Sequence, residues 1–399
     1  MTSTALTPWL IVLGLSLGPA VSNGLARFAY GLILPAMQTD LVWSFTEAGW
    51  LNTANAAGYL LGALSTFALV DRVGPRRIFI IGIVVTPIAL VGSAVFADLW
   101  TQSVFRVAAG VAGAGIFISG GAMAATLFRD TPSQNSLAIS LYFGGGGLGM
   151  IASGAVLPIL FDYKGASAWP TAWMFLAGLS SLAVWPALWA ARKCPEPSRI
   201  HVLVAPRLPM MKKIPLTLGY FLFAVGYIVY LTFLVALMHE GAAGAALIAA
   251  CWTLIGLGVI AAPFLWRGVL ARSTGGGALA LACLATGAAT LLPIGIPGSV
   301  PALITSVAIF GLSFFIAPTA VTSFARKNLD QAVWGRAVGM FTIVFALGQI
   351  VGPVLAGLVS DLTGSVSQGM AAAGFILLLG AASAALQRPL APRSIERAT

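Results

Sequence analysis

The chain has 399 residues, of which 59% are hydrophobic and only 8% are charged. Soluble domains carry about 25% charged residues, so this composition excludes a water-soluble globular protein. The apolar runs are about 20 residues long, whereas the strands of a membrane barrel are about 10 residues long and alternate in polarity. Because backbone polar groups in lipid must be satisfied internally, we predict an all-α membrane protein.

Twelve membrane spans are predicted from runs of about 18 or more apolar residues bounded by charge, Pro or Gly. We number them 1 to 12, at residues 9–36, 47–69, 78–97, 100–127, 137–161, 168–190, 215–238, 243–266, 276–296, 300–324, 337–360 and 368–387. Span 1 does not have the features of a signal peptide, since it lacks a basic N-terminal region and no small-residue cleavage site follows it.

The basic residues predict the orientation of the spans, because Lys and Arg concentrate in cytoplasmic loops. With a cytoplasmic N-terminus, all but three of the 21 Lys and Arg residues lie in inner loops or in the C-terminal tail. The exceptions are Lys164 in an outer loop and Arg27 and Arg106 inside spans. The even number of spans then places both termini in the cytoplasm. The net charge of +10 follows from this distribution, which argues against a nucleic-acid partner.

A polar segment at residues 191–214 divides the chain into two halves of six spans each. We predict an N-terminal six-helix bundle at 1–190, a basic, Pro-rich cytoplasmic linker at 191–214 and a C-terminal six-helix bundle at 215–399. The halves resemble each other weakly at an offset of about 200 residues, as between Leu148-Gly149 and Leu347-Gly348, which is typical of transporters with a site between two repeats. The alternative is a chance similarity between helices rich in Leu, Ala and Gly.

Enzyme and metal chemistry are not predicted from the sequence. The three cysteines lie in the central linker and within spans, and the two histidines are far apart, so neither a metal site nor a disulfide is expected. There is no visible nucleophile–base constellation and no G-x-x-x-x-G-K-[ST] loop for ATP. We therefore expect no enzyme and no cofactor, and we expect a gradient to drive any transport.

The loop between spans 2 and 3 carries the clearest motif. It reads Asp71-Arg72-Val73-Gly74-Pro75-Arg76-Arg77. This resembles the pattern G-x-L-x-D-R-x-G-R-R of the major facilitator superfamily, in which the Asp can sit against helix N-termini and Arg side chains. The resemblance implies a conformational latch between the halves, formed by Asp71, Arg72, Gly74, Arg76 and Arg77. The second copy, after span 8, has Arg272 where the Asp is expected, so the latch is expected only in the N-terminal half.

Gly-rich elements extend the resemblance into other spans. Span 4 contains Arg106-x-x-x-Gly110-x-x-Gly113, and span 11 contains Gly348-Gln349-x-x-Gly352-Pro353. Together with Gly149 in span 5, these Gly and Pro residues are predicted to let helices approach closely, bend or slide. The alternative is ordinary packing of small residues.

Three further segments resemble a bacterial branch of this superfamily, whose members are mostly permeases of unknown substrate. They are Asn23–Tyr30, Gly58–Gly62 and Gly226–Tyr230. The resemblance covers nearly the whole chain and implies twelve helices in two pseudo-symmetric six-helix bundles, in the bacterial cytoplasmic (inner) membrane. It also implies a small-molecule substrate, and it says almost nothing about which one.

The two arginines inside spans, Arg27 and Arg106, are the main candidates for substrate binding. A charged residue within a membrane helix costs about 2.5–3.5 kcal/mol on insertion scales, so it is a functional candidate by default. In the superfamily fold, spans 1, 4, 7 and 10 line a central cavity, and the resemblance implies that both guanidiniums face it. No carboxylate lies in the middle of a span. This pattern favours an anion, because a guanidinium can bind a carboxylate with two parallel hydrogen bonds.

Aromatic and amide side chains are predicted to complete the site. They are Tyr30, Tyr227, Tyr230, Asn52, Asn55 and Gln349, with Phe314 and Phe315 as aromatic neighbours. The rings would suit the hydrocarbon or aromatic body of an organic acid, or would pack in the core. The amides would hydrogen-bond the substrate, or would bridge helices. For Arg106 the alternative is a structural or gating role, and for Arg27 it is an ion pair with Glu47 or a bond to the carbonyls of a broken helix.

We therefore predict a secondary active transporter that moves a small organic anion, such as a carboxylate, by alternating access. The coupled partner would be protons or a counter-anion, and the protein would act in the lipid bilayer as a monomer. The alternative is an exporter of drugs or hydrophobic metabolites, which an apolar cavity and the Gly-Pro element of span 11 favour. A receptor or assembly protein on the same fold would be expected to carry a long cytoplasmic domain.

Overall fold

The computed structural model describes residues 3–128, 130–195, 213–329 and 333–390. Within these residues all regular secondary structure is helical. The helical stretches that are long and apolar enough to cross a membrane are Thr7–Leu41, Phe45–Val73, Pro75–Val95, Leu99–Ala124, Ser133–Lys164, Ala166–Lys193, Ile214–Glu240, Ala245–Arg272, Gly277–Gly295, Val300–Asn328, Arg336–Thr363 and Val366–Ala385. They match the predicted spans in number and order, so the all-α fold with twelve spans is confirmed, and we keep the numbers 1 to 12.

Spans 1, 6 and 10 change helix type along their length. Span 1 consists of the α-helix Ser3–Pro19, the π-helix Ala20–Phe28 and the α-helix Tyr30–Leu41. Span 6 consists of the 3-10 turn Ala166–Ala168 and the α-helix Trp169–Lys193, and span 10 of Val300–Ser313, the 3-10 turn Phe314–Ile316 and Ala317–Asn328. Spans 5 and 11 belong to the helices Pro132–Lys164 and Trp334–Thr363. Because π-helical turns are rare and frequently lie at functional sites, the π-helix of span 1, which contains Arg27, is the most informative of these changes.

Capping residues start two of the helices before the predicted apolar runs. At span 2, Ser44 Oγ accepts a hydrogen bond from the Glu47 N–H at 3.2 Å, and the Glu47 carboxylate accepts one from the Ser44 N–H at 2.9 Å. At span 4, the Asp98 carboxylate accepts a hydrogen bond from the Thr101 N–H at 2.8 Å, and this bond lowers the pKa of Asp98. These bonds satisfy N–H groups that the first helical turn leaves without a partner.

Gly74 alone separates spans 2 and 3. Its backbone φ is +88°, which glycine adopts at little cost because it has no Cβ atom. Pro75 is the first residue of span 3. Proline is well suited to this position, because the N–H that it lacks would have no hydrogen-bond partner within the helix. The predicted latch loop is therefore a one-residue turn with Arg72 and Arg76 on either side.

The two halves pack by the same scheme. In the N-terminal half, span 1 packs on spans 5 and 6, span 2 on span 4, and span 3 on spans 4 and 6. The same pairs recur six spans later, with span 7 on spans 11 and 12, span 8 on span 10, and span 9 on spans 10 and 12. The predicted bundle boundaries at 190 and 215 fall near the helix ends Lys193 and Ile214. Most of the predicted linker, 196–212, lies outside the described residues.

The halves meet mainly where span 1 packs on span 7, span 2 on span 11, and span 5 on span 8. At the ends predicted to face outward, the Asp361 carboxylate of span 11 accepts hydrogen bonds from the N–H groups of Phe45 and Thr46, at 2.8 and 2.9 Å, and from the Thr46 hydroxyl at 2.5 Å. The dipole of span 2 also favours a carboxylate at this N-terminus. Further along the contact between spans 2 and 11, the Thr53 hydroxyl donates to the Ile350 carbonyl at 2.7 Å.

The predicted latch lies at the opposite end of span 2 from this contact. Asp71, Arg72 and Arg77 are exposed, and Asp71 has no hydrogen bond or ion pair to another described residue. Arg76 donates to the Cys194 carbonyl at 2.7 Å, within the N-terminal half. Asp71 therefore does not join the halves in this state, and the latch stays a prediction.

Most of the Gly residues predicted to pack helices closely lie against a neighbouring backbone. A Cβ atom on Gly149 would lie 2.8 Å from the Cα of Gly24, and one on Gly348 would lie 2.6 Å from the carbonyl oxygen of Phe221. These helices approach so closely because no side chain stands between them. Gly110 and Gly352 are enclosed by neighbouring backbone in the same way, and the carbonyl of Pro353 faces Gly49. Gly113 differs, because a Cβ atom there would fit without a close contact.

Gly110 and Gly113 form a matched pair that tests this packing, because both are buried in span 4. A Cβ on Gly110 would lie 2.7 Å from the backbone N of Tyr59, whereas the nearest atom to a Cβ on Gly113 would be the Ser22 Cβ at 3.5 Å. We expect Gly110→Ala to lower the melting temperature of the purified protein, through an overpacking cost of about 1–3 kcal/mol. Gly113→Ala should leave it unchanged or raise it slightly. Equal melting temperatures would contradict the packing argument.

Loss of the Asp361 carboxylate is expected to loosen the outer contact between the halves. Val42 and Leu362 are 88% and 78% exposed, so spin labels there would report the distance between the halves once the buried native cysteines are replaced. Asp361→Ala removes hydrogen bonds to a charged group, each of which contributes about 1.5–3 kcal/mol, and should shift the label distances upward. The control is Asp162→Ala, which removes an exposed carboxylate on the same side. Identical distance distributions in both variants would refute the role given to Asp361.

Candidate functional site

Arg27 is a buried cation that contacts both halves. It lies in the π-helix of span 1, and only 5% of its surface is exposed. Its Nη2 donates a hydrogen bond to Oε1 of Gln349 in span 11, at 2.6 Å. Its guanidinium carbon lies 4.9 Å from the ring centroid of Tyr59 in span 2, a distance at which the ring face attracts a cation. Its Nε has no partner.

The π-helix determines where Arg27 points. The segment closes with a hydrogen bond from the Ala29 N–H to the carbonyl of Gly24, five residues earlier, at 3.1 Å. Such a wide turn rotates the residues that follow relative to an ordinary α-helix. Because Gly24 and Gly149 bring spans 1 and 5 into backbone contact, the segment is held firmly in the N-terminal half. The sequence predicted Arg27 as a site residue but did not predict this change of helix type.

Gln349 links Arg27 to span 7. Its side chain is fully buried, and its Nε2 donates to the hydroxyl of Tyr227 while its Oε1 accepts from Arg27. The opposite orientation of the amide would place two donors, Nε2 and Nη2, against each other. Arg27, Gln349 and Tyr227 therefore form one hydrogen-bonded chain across spans 1, 11 and 7. Three of the predicted site residues are brought together in this way.

Aromatic rings surround this hydrogen-bonded chain on the side of the C-terminal half. Tyr227 is stacked with Phe223, Phe314 and Phe345, at centroid distances of 5.1, 5.8 and 5.5 Å. Phe28 of span 1 meets Phe314 edge to face at 5.9 Å. Aromatic stacks of this kind add stability beyond the area they bury, so Tyr227 is held in a rigid apolar environment.

A second aromatic contact crosses between the halves. The half-buried rings of Phe117 in span 4 and Phe315 in span 10 lie 6.3 Å apart, and Phe117 also meets Tyr59 at 6.4 Å. Sequence reasoning named Phe315 but missed Phe117, Phe345 and Tyr59. Tyr59 stands in the segment Gly58–Gly62, and only the packing of span 2 on span 1 reveals that its ring faces Arg27.

Arg106 is enclosed within the N-terminal half. None of its surface is exposed, and it donates to the carbonyls of Ala26, at 2.5 Å from Nη1, and Leu51, at 3.5 Å from Nε. Its guanidinium carbon lies 4.9 Å from the ring centroid of Tyr30 and 5.4 Å from that of Trp173. Carbonyls and aromatic faces both stabilise a cation. Arg106 thus lies outside the hydrogen-bonded chain of spans 1, 11 and 7, and its contact with a substrate stays a prediction.

The remaining predicted site residues bond to other parts of the protein. Asn52 donates to the hydroxyl of Thr232 in the opposite half at 2.5 Å, and Asn55 donates to the Arg106 carbonyl at 3.0 Å. The other two tyrosines form bonds of 2.7 Å, Tyr30 to the Ala48 carbonyl and Tyr230 to the Ser306 hydroxyl. The contacts of Asn52 and Asn55 agree with the alternative in which the amides bridge helices, and those of Tyr30 and Tyr230 agree with the alternative in which the rings pack in the core. Substrate contact by these residues stays a prediction.

The charge of Arg27 is not balanced by a carboxylate within the described part of the chain. None of the described Asp and Glu side chains is buried. Glu47, the predicted alternative partner, accepts a hydrogen bond from the Ser44 N–H instead. Burial of a cation whose partners are all neutral costs free energy. An anion beside Arg27 would offset this cost, so the arrangement is suited to binding an anion between the halves.

Comparison with known proteins identifies the family. A model of the family described as "Uncharacterised MFS-type transporter YbfB" matches residues 19–385. The "Probable high-affinity nitrate transporter 2.4" of Oryza sativa subsp. japonica is 32% identical over 138 residues, which are 34% of this chain and only 28% of that protein.

Three solved structures share the fold over nearly their whole length. A bacterial homolog of the human lysosomal transporter Spinster has a TM-score of 0.71 at 15% identity and covers 95% of this chain and 96% of its own. The human organic anion transporter MFSD10 (TETRAN) has a TM-score of 0.64 at 17% identity, covering 95% and 98%. The nucleoside transporter NupG has a TM-score of 0.67 at 14% identity, covering 94% and 97%.

At these identities the structures establish the fold alone, whereas the family match extends over most of the sequence. The resemblance to the major facilitator superfamily is confirmed, and the protein is a multi-pass membrane protein with the fold of transporters. The chain belongs to the family of MFS-type transporters described by YbfB.

Proposed function

We propose that the protein is a secondary active transporter of a small organic anion, such as a carboxylate, and that Arg27 binds the anionic group. The observation that carries this proposal is the position of Arg27, a buried cation between the halves with no described carboxylate beside it. A guanidinium offers a planar fork of donors that matches a carboxylate. A nitrate transporter and an organic anion transporter among the compared proteins are named for anions, which agrees with this substrate class.

Alternating access would expose Arg27 to one side at a time. Spans 2 and 11 are joined at the ends predicted to face outward, whereas Asp71 at the other end of span 2 is exposed and without a partner in the described chain. A cavity of about 500 Å³ at the outer ends of spans 1, 5, 7 and 8 does not include Arg27 in its lining. Because Arg27 is buried in this state, a substrate would reach it when the halves move apart, as in the rocking of two repeats around a central site.

The gradient that drives transport would be carried by protons or by a counter-anion. Since no described carboxylate is buried within a span, no side chain of that kind is available to carry a proton through the membrane. The proton would then travel with the substrate, or a second anion would be exchanged for it. A monomer is sufficient for this mechanism, because both halves of the site belong to one chain.

The exporter of drugs or hydrophobic metabolites is the second candidate. The rings that continue from Tyr59 through Phe117 to Phe315, and the ring of Phe345 beside Tyr227, favour it, because an aromatic surface binds many apolar molecules. Drug susceptibility of a deletion strain, with and without the restored gene, distinguishes this candidate from an organic-anion transporter.

Substitution of Arg27 tests the lead proposal directly. In proteoliposomes supplied with a panel of labelled organic acids, we expect Arg27→Gln to reduce uptake about tenfold or more, because a charge-assisted hydrogen bond is lost. Arg27→Lys should retain more uptake, since it keeps the charge but not the fork. Arg267→Lys, at an exposed position, serves as the control. Uptake by Arg27→Gln equal to that of the parent would exclude Arg27 as the anion site.

The proposed location is the bacterial cytoplasmic (inner) membrane with both termini in the cytoplasm. It predicts that Tyr163→Cys, at a position 88% exposed and on the outer side, reacts with a membrane-impermeant maleimide in intact spheroplasts. Arg267→Cys, exposed and predicted to face inward, should react only after permeabilisation. The reverse pattern would overturn the predicted orientation.

A further inference from the structure

One edge of the Arg27 guanidinium, formed by Nε and Nη2, is only half used. Nε and Nη2 lie on the same edge of a guanidinium and point in the same direction, so together they can hold two oxygens. In this structure Nη2 is bonded to Gln349 Oε1 at 2.6 Å, while Nε is buried without a partner. The side chain is 5% exposed, so bulk water does not satisfy the unused donor. Of the two donors on this edge of Arg27, Nη2 is thus bonded and Nε is not.

Gln349 cannot fill both positions. A side-chain amide has a single oxygen, and its other terminus, Nε2, is itself a donor that is bonded to Tyr227. A carboxylate or a nitrate has two oxygens in one plane and a negative charge, so it can accept from Nε and Nη2 at once. The anion also attracts the guanidinium through its full negative charge, which a neutral amide lacks. Such an anion has an advantage over Gln349 at this edge in both the number of bonds and the charge.

Displacement of Gln349 would leave no partner unsatisfied. The Tyr227 hydroxyl can donate as well as accept, so after a rotation of the amide it can donate to Oε1. The Nε2 group would then point toward the anion instead of away from it. Gln349 has no other described hydrogen bond, so no further hydrogen bond in the described chain has to break for its oxygen to leave Arg27.

We propose that Gln349 is a stand-in for the substrate: in the empty carrier its amide oxygen occupies the Nη2 position of Arg27, and a planar anion with two oxygens displaces it to take both Nε and Nη2. This inference rests on the proposed transport of an anion and narrows its chemistry. Carboxylates and nitrate fit, whereas a halide, with a single acceptor atom, does not use the second donor. Gln349 is accordingly a positioning residue that the substrate must displace.

The decisive variant is Gln349→Glu, which is nearly isosteric and carries the proposed substrate group. Its carboxylate should take the Nε–Nη2 edge permanently. We expect the purified full-length variant to melt at a higher temperature than the parent without added anion, and to lose at least about tenfold in affinity for added anions. The matched control is Gln102→Glu, another fully buried glutamine, whose amide donates to the carbonyls of Ser93 and Phe96. A carboxylate there faces carbonyl oxygens and should lower the melting temperature.

The measurement is the melting temperature and the apparent Kd of the parent and each variant, titrated with acetate, benzoate, nitrate and chloride at constant ionic strength. The parent should bind acetate, benzoate or nitrate at least about tenfold more tightly than chloride, and the individual salts distinguish carboxylate from inorganic oxyanion. Arg27→Lys should lose this preference, because an ammonium has no fork. Gln349→Leu should still bind the preferred anion, since Arg27 remains, and its binding shows that the chain folds without Gln349.

Several outcomes would overturn the inference. A Gln349→Glu variant that is not stabilised, or that binds anions as the parent does, would refute the stand-in role while leaving anion transport intact. Chloride binding as tight as carboxylate and nitrate binding would refute the two-oxygen claim. If neither the parent nor Gln349→Leu binds or transports any of the anions, the proposed function fails, and the inference fails with it.

Discussion

The burial of one positive charge between the two halves constrains the rest of this structure. Arg27 is held by a neutral amide and an aromatic face, with no described carboxylate beside it. A charge removed from water costs several kcal/mol unless it is well compensated, so its partners must be placed closely. Tyr59 belongs to the same half as Arg27, whereas Gln349 belongs to the opposite half, so Arg27 keeps both partners only while the halves are in contact.

The two arginines inside spans look equivalent in the sequence, but their surroundings differ. Every described contact of Arg106 lies in its own half, so these contacts can persist when the halves move as rigid bodies. Arg27 is bonded across the interface to Gln349, so it must exchange partners when the halves separate. This difference supports the proposal that Arg27 couples substrate binding to movement of the halves, and it agrees with the structural alternative for Arg106, whose contact with a substrate stays a prediction.

The two ends of span 2 differ in whether a carboxylate joins the halves by binding a helix N-terminus. At one face Asp361 binds the first N–H groups of span 2, and both the hydrogen bonds and the helix dipole favour this contact. At the other face Asp71 is exposed. Sequence reasoning found Asp71 because it stands in a recurring motif, and it missed Asp361 because an Asp at the end of an apolar span has no local signature.

The sequence alone was sufficient to determine the number, order and helical nature of the spans, because lipid imposes a minimum apolar length and internal hydrogen bonding on each segment separately. The same local reasoning selected Arg27 and Arg106 as candidates, since a charge within an apolar run is costly wherever it is placed. Only the tertiary structure decided the partners of Arg27: Gln349 lies 322 positions away, and the π-helix that orients Arg27 is packed against Gly149 of span 5. Which side chains meet across the interface depends on how the two bundles pack, and no pattern within a single span records that packing.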